Sequence, residues 1–238
     1  MSLSIPGYKV ISNVDQFEQA QIICLGETHF STADQTKNAN IIDAYYTEGR
    51  DLVLTETYAD VTTEMYRKQI ECQTKFVTKN IDIKGWDIKL MDDNKAFIEK
   101  YKQLMPKAIK IMFASMAIPP ILKLTLGIDY YLDYILPAIG ILTVAGSILA
   151  ACGELISSES VTLRNRNMVE VMKTNFEEDK KLFVTGGHLH FEKVDDYVSR
   201  GGMAAQIVKN SGKFNNEASI DETMAFLITK RYAILIPV

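Results

Sequence analysis

The sequence predicts an α/β fold, a mostly parallel central sheet flanked by helices, with a hydrophobic helical hairpin inserted into it. Three observations lead there. Continuous apolar runs such as "QIICLG" and "DLVLTE" end in polar residues, the pattern of short strands buried on both faces. Longer stretches with helical spacing separate them, so the order reads strand, helix, strand, and parallel strands need such crossovers. The third is "IKIMFASMAIPPILKLTLGIDYYLDYILPAIGILTVAGSILAACGELI", which is too long and too apolar to be one ordinary layer of such a domain.

The elements follow in chain order. Strands at "QIICLG" and "DLVLTE" bracket a helix over 32–49, which carries Ala39, Ile42, Ala44, Tyr45 and Tyr46 and closes at "EGR". A helix over 62–78 leads to a third strand, "IDIKGWD", and helices over 94–105 and 160–178 flank the apolar insertion. "KKLFVTGG" supplies a fourth strand, "AAQIV" a fifth, and "MAFLITKRYAILIPV" one or two more. A chain of 238 residues is read as a single domain, 1–238, with 105–155 as the hydrophobic helical insertion within it.

Composition narrows the function. Lys plus Arg number 26 and Asp plus Glu 30, a net charge of -4, so no overall field exists to hold phosphate backbones, and nucleic acid is not an expected partner. Cys24, Cys72 and Cys152 show no CxxC or His-flanked spacing and read as reduced thiols. The opening "MSLSIPGYKV" lacks a basic segment followed by an apolar one, which gives a cytoplasmic expectation, with membrane association as a further possibility raised by the insertion.

Ile135–Gly153 is uncharged throughout, and as a helix it approaches the roughly 30 Å of a bilayer core. The preceding Ile111–Ile128 is nearly as apolar, but Lys123 and the Pro119-Pro120 pair interrupt it, and a break is expected at the prolines. One crossing would separate "GETH" from "GGHLH", so the insertion must leave and return as a hairpin, turning at "DYYLDY". Two readings stand: contact with a membrane through 111–153, or a helical pair that covers the sheet or forms a homo-oligomer interface.

Ligands of open parallel sheets sit beyond the carboxyl ends of the strands, and there the reactive side chains gather. Glu27 and His29 follow the first run, where an i, i+2 spacing shares one face of an extended chain. Glu56 and Tyr58 repeat it after the second run, Asp87 ends the third, and His188 and His190 repeat it in "GGHLH", so all three histidines take part. Any one of them alone would read equally well as a helix cap or a loop hydrogen bond. Four strand ends carrying carboxylates and imidazoles are more specific. Neither GxGxxG nor GxxxxGK[ST] is present, which removes support for a nucleotide site. No GxSxG elbow appears and no cysteine adjoins a histidine, so a covalent acyl-enzyme is the weaker idea.

"LGETH", "LVLTE", "GWD", "RNRNM" and "LFVTGGHLH", in that order over 21–192, resemble the motifs of the superfamily that groups Tiki proteases, TraB/PrgY pheromone-shutdown proteins, ChaN-like haem-binding proteins, erythromycin esterase-like enzymes and Ras/Rap-cleaving toxin domains. The resemblance implies an active site in which Glu27, His29 and Glu56 correspond to the first acid, the histidine and the second acid. Arg164 with Asn165 takes the place of an Arg-Asp or Arg-Asn pair. Many members carry GxxH at both histidines. Here the second reads either Thr185–His188, with Thr at the Gly position, or Gly187–His190, so the distal histidine is His188, the nearer to the strand, or His190.

Two mechanisms fit these side chains, and both hydrolyse a peptide or a small ester or amide. In one, a divalent metal (manganese, cobalt or zinc) held by His29, Glu56 and His188 lowers the pKa of a bound water. In the other there is no metal: His29, oriented by Glu27 or Glu56, takes a proton from water, and Arg164 stabilises the oxyanion, with Asp87 among the catalytic set. The alternatives are a haem-binding module, with Tyr58 and His190 as the cofactor ligands, and a non-catalytic membrane-associated protein.

Overall fold

The computed structural model describes residues 3–28, 31–58, 75–87, 95–126, 139–147, 158–199 and 215–238. The chain divides into two compact units, residues Met1–Lys89 with Val161–Val238, and residues Leu90–Ser160. The first is an α/β unit. Its strands are β1 (Tyr8–Ser12), β2 (Ile22–Glu27), β3 (Leu52–Tyr58), β4 (Ile83–Asp87), β5 (Leu182–Gly187) and β6 (Tyr232–Pro237). They form one sheet in the order β1-β6-β2-β5-β3-β4. The pairing of β1 with β6 is antiparallel, and the other pairs run parallel.

Burial explains the apolar runs. Every residue of β2 and β6 is buried, because both faces of the sheet are covered. Helix α1 (Thr32–Tyr45) brings Ile41 and Ile42 against Ile23, Leu25, Val53 and Phe183 on one face. On the other face Met168, Met172 and Leu227 pack with Cys24, Leu54, Val184 and Ile234. Successive strand residues alternate between these two cores, as the period of two requires.

The chain moves from β2 outward to β3 and β4. It then returns to lay β5 between β2 and β3, and β6 on the far side of β2. The direction of winding reverses around β5, and the carboxyl ends beside such a reversal are where open sheets hold ligands.

Three expectations change. Of the one or two strands expected in "MAFLITKRYAILIPV", one forms, β6, while Met224–Leu227 closes a helix, Glu217–Leu227, whose buried Ile220, Thr223 and Leu227 follow helical spacing. A short apolar run does not by itself separate the two periods. Strand β1 was not anticipated; its residues are only half-buried, as suits an edge, and the strand signal is correspondingly weak. The helix after β2 stops at Tyr45, short of "EGR". The expected strand "AAQIV" and most of the expected helix 62–78 lie outside the described residues.

In the second unit, α2 (Lys95–Leu126) joins the expected 94–105 helix to the first half of the insertion. It runs through Pro119 and Pro120, where a break was expected. The fixed φ of proline is compatible with a helix, although each proline forgoes its N–H bond and crowds the carbonyl four residues before it. Residues 139–147 form α3, while "DYYLDY" lies outside the described residues. A Cβ at Gly140 of α3 would come within 3.0 Å of the Met112 Cα of α2 and would collide with the Ser115 side chain, so the two helices approach closely at this glycine. Among the described residues, no helix is long and apolar enough to cross a membrane.

The remaining α-helices among the described residues are α4 (Ser158–Asn175), α5 (Val194–Ser199) and α6 (Glu217–Leu227).

Candidate active site at the carboxyl ends of β2 to β5

Glu56 stands two residues after Leu54, so strand alternation turns it toward the α4 side of the sheet. There its Oε1 accepts from Arg164 Nη2 and lies 3.2 Å from His190 Nε2. Its Oε2 accepts from the backbone N–H of Gly187 at 2.7 Å. Asp87, at the end of β4, accepts from Arg164 Nε at 2.8 Å and from Nη2 at 2.7 Å. One guanidinium thus clamps the ends of two adjacent strands. The side chains of Glu56 and Asp87 are each 5% exposed and that of Arg164 is 12% exposed. Burial acts to lower the Arg164 pKa, but the carboxylates of Glu56 and Asp87 outweigh it and hold the group above its ordinary value. Arg164 stays charged. Its Nη1 makes no hydrogen bond among the described residues.

His190 is fixed from both sides. Its Nδ1 lies 2.5 Å from Asn165 Oδ1. The Asn165 amide is itself oriented, because its Nδ2 donates to Ser219 Oγ at 3.1 Å and that hydroxyl donates to the carbonyl of Asn216 at 3.0 Å. Both ring nitrogens therefore face oxygens, one of Asn165 and one of Glu56. Trp86 meets the imidazole edge to face, with centroids 5.0 Å apart, and its Nε1 donates to the Thr185 carbonyl at 2.9 Å. A Cβ at Gly186 would sit 2.8 Å from Trp86 Cζ2 and 3.3 Å from Glu56 Oε2, so the missing side chain leaves the room this cluster occupies.

A second cluster forms at the end of β2. His188 Nε2 lies 3.1 Å from Thr28 Oγ1 and 3.6 Å from Asp34 Oδ2. Asp34 sits in the first turn of α1, where its own N–H donates to the N-cap Ser31. Its Oδ2 accepts from the Thr28 N–H at 2.9 Å, so the carboxylate ties the helix start to the strand end. The His188 ring lies over Gly26, whose Cβ would be 3.4 Å from Nδ1. Glu27 is buried at the same strand end and is in register with Gly187 of β5. Alternation from Leu25 turns it toward the α1 side. Two buried atoms, Asn38 Oδ1 and Thr57 Oγ1, have no hydrogen-bond partner among the described residues, and a bound water is what such atoms accept in protein interiors.

The expected residues therefore divide. Glu56, Asp87, Arg164 and His190 meet in one network, and His188 joins Thr28 and Asp34 in another. Residues His188–His190 form a 3₁₀ turn, so the i, i+2 rule for extended chain does not apply to them, and the two imidazoles turn to different partners. Tyr58 pairs with Asp87 across β3 and β4 through the backbone, and its side chain lies outside the described residues, as does all of His29. The sequence reading did not single out Asp34. Its signal was the Ser-x-x-Asp spacing of Ser31 and Asp34 before the helix.

The donor chemistry bears on the two expected cofactors. Among the described residues, no group of three His, Cys, Asp or Glu side chains could hold a metal ion. Of the expected metal ligands, Glu56 gives both oxygens to Arg164, His190 and the Gly187 N–H, and His188 places Nε2 against Thr28. The third expected metal ligand, His29, lies outside the described residues. Of the expected haem ligands, His190 has Asn165 and Glu56 oxygens beside its two nitrogens. Comparison with protein-family models, with curated proteins and with solved structures finds no match to this chain.

Proposed function

We propose that this protein is a hydrolase of amide or ester bonds that activates water at the carboxyl ends of β2 to β5 and holds the developing oxyanion on Arg164. The observation that carries this reading is the state of Arg164. Its Nε and Nη2 edge is fixed by Asp87 and Glu56, and its Nη1 makes no hydrogen bond among the described residues, on a side chain that is still 12% exposed. A charged donor held rigidly before substrate arrives is what transition-state stabilisation requires, since little reorganisation is left for the reaction itself.

In the reaction, water oxygen attacks the carbonyl carbon while its proton passes to an imidazole at the β2 end. We assign that base to His29, two residues beyond Glu27, with Glu27 as its orienting carboxylate. The carbonyl electron pair moves onto oxygen, where Arg164 Nη1 donates to it. Collapse expels the amine or alkoxide, which takes the proton back from the imidazolium. Glu56, Asp87, Asn165 and His190 act as positioning residues for Arg164. The order of "LGETH", "LVLTE", "GWD", "RNRNM" and "LFVTGGHLH" supports the same reading through its resemblance to the Tiki, TraB and erythromycin esterase-like proteins.

The test is hydrolysis of a panel of chromogenic esters and a mixed peptide library by the purified chain, with Arg164→Lys, Glu27→Gln and His29→Ala in parallel and circular dichroism as the folding control. Loss of one oxyanion donor lowers kcat by about 10²–10³, and that loss is expected for Arg164→Lys. A chelator should leave the rate unchanged. No turnover of any substrate, or native rates in folded Arg164→Lys and Glu27→Gln, would sink the proposal.

A further inference from the structure

The helical unit carries an inverted surface. Where α2 meets α3 the residues are small: Gly140 faces Ser115, both are buried, and the backbones approach at Met112; Ala108, seven residues before Ser115 on the same face of α2, is buried as well. The large apolar side chains point the other way. On α2, Ile109, Phe113 and Met116 are exposed, Phe113 to 62%, and their i, i+4, i+7 spacing places them on one stripe. On α3, Ile141 and Leu142 are exposed, Leu142 to 69%, and residues 139–147 contain no charge.

A water-facing pair buries its large apolar residues and exposes small or polar ones. Small residues between the helices and large ones outward is the arrangement of helices whose outer face meets lipid.

The charges select which lipid. The range 95–126 contains six lysines (Lys95, Lys100, Lys102, Lys107, Lys110, Lys123) against the single acid Glu99, in a chain whose net charge is -4. Lys102, Lys107 and Lys110 are exposed; Lys102 lies seven residues before Ile109, on the same stripe, and Lys110 flanks it, whereas Lys107 is on the opposite side of the helix. An exposed apolar stripe with cations along it is complementary to a bilayer surface bearing anionic headgroups.

We propose that α2 and α3 dock this protein, peripherally, on an anionic lipid surface, with Ile109, Phe113 and Met116 entering the headgroup layer and Lys102 and Lys110 contacting the headgroups. This inference stands apart from the reading of the strand-end site.

The experiment is flotation of the full chain with vesicles of phosphatidylcholine alone and of phosphatidylcholine with 30% phosphatidylserine. A parallel Phe113→Trp variant reports burial by a blue shift, since the native Trp86 is wholly buried and gives a constant background. Binding is expected with the anionic vesicles only, falling with salt. It should drop about fivefold for each contacting lysine replaced, so about 25-fold for Lys102→Gln and Lys110→Gln together, with Lys107→Gln, on the opposite side of the helix, having the smaller effect. Ile109→Ser, Phe113→Ser and Met116→Ser together should abolish it while leaving the circular dichroism unchanged. Three results would overturn the proposal: no flotation with either vesicle, equal flotation with both, or a lipid-free dimer that these serine substitutions dissociate, which would assign the stripe to a second copy of the chain.

Discussion

Alanine at Gly186 is the substitution whose cost follows most directly from the packing around the site. The added Cβ would lie 2.8 Å from Trp86 Cζ2 and 3.3 Å from Glu56 Oε2, whereas carbon atoms in contact settle at about 3.5–4.0 Å. The indole has no easy retreat. It is wholly buried, its Nε1 is bonded to the Thr185 carbonyl at 2.9 Å, and its face meets the His190 ring. Overpacking of a rigid core costs about 1–3 kcal/mol, which in a chain of this size lowers Tm by about 2–4 °C per kcal/mol. Because the displaced groups are Trp86 and Glu56, hydrolysis should fall by more than the loss of folded protein accounts for. Gly26→Ala is the internal control: its nearest neighbours, His188 Nδ1 at 3.4 Å and Ile236 Cγ1 at 3.5 Å, are at ordinary contact, so its cost should stay under about 1 kcal/mol. Urea unfolding of both variants decides the matter. Equal midpoints for Gly186→Ala and the native chain, or a larger loss for Gly26→Ala, would refute the packing argument.

Arg164→Met leaves Glu56 and Asp87 buried without their common cation, and urea unfolding at pH 7 should show a loss of about 3–5 kcal/mol, with Arg164→Lys intermediate. At Asp51, burial acts to raise the carboxyl, but the Arg50 guanidinium and the N–H groups of Lys181 and Thr47 outweigh it and hold it below the usual range. Its stabilising contribution is therefore present above the unfolded value of about 3.9 and lost as pH falls through the lower folded value. Asp51→Asn should accordingly be less stable than the native chain at pH 7, and the gap in thermal midpoint should close below the usual carboxylate range. His190→Ala should cost more stability than His188→Ala, because it empties a space between Trp86, Asn165 and Glu56. His190→Ala should also lower kcat/KM the more, because His190 supports the Glu56 carboxylate that positions Arg164, and a reversed order on either measurement would refute that role.

The sheet was legible because its signal is redundant. Strands β2, β3, β4 and β5 each begin within two residues of an apolar run that the sequence displays, and every such run ends where a polar side chain reaches the carboxyl edge. What escaped were features whose local signal conflicts with its surroundings. Edge strand β1 lacks the burial that produces an apolar run, and Met224–Leu227 carries an apolar run on a helix. The i, i+2 rule failed at "GGHLH" for a backbone reason. The chain leaves β5 at Gly187 and tightens, with the N–H groups of Phe191 and Glu192 both reaching the His188 carbonyl at 2.9 Å, so the two histidines are no longer on a strand.

Asn165 shows how the rest of the network could be read. Along α4 the residues Val161, Asn165, Met168 and Met172 are buried, and their spacing of four, three and four is that of a core stripe. An amide stands where this stripe calls for an apolar side chain. A buried amide must find partners or lose about 1–3 kcal/mol, so its presence on the stripe implies another buried polar group opposite. His190 and Ser219 are those groups. Arg164 is the neighbour of that position and lies at the margin of the stripe, which is why it can reach Glu56 and Asp87 while its side chain stays partly exposed. A polar interruption in an apolar helical stripe, next to an arginine and opposite strand ends that carry acids, marks the network from sequence more firmly than the histidine spacing does.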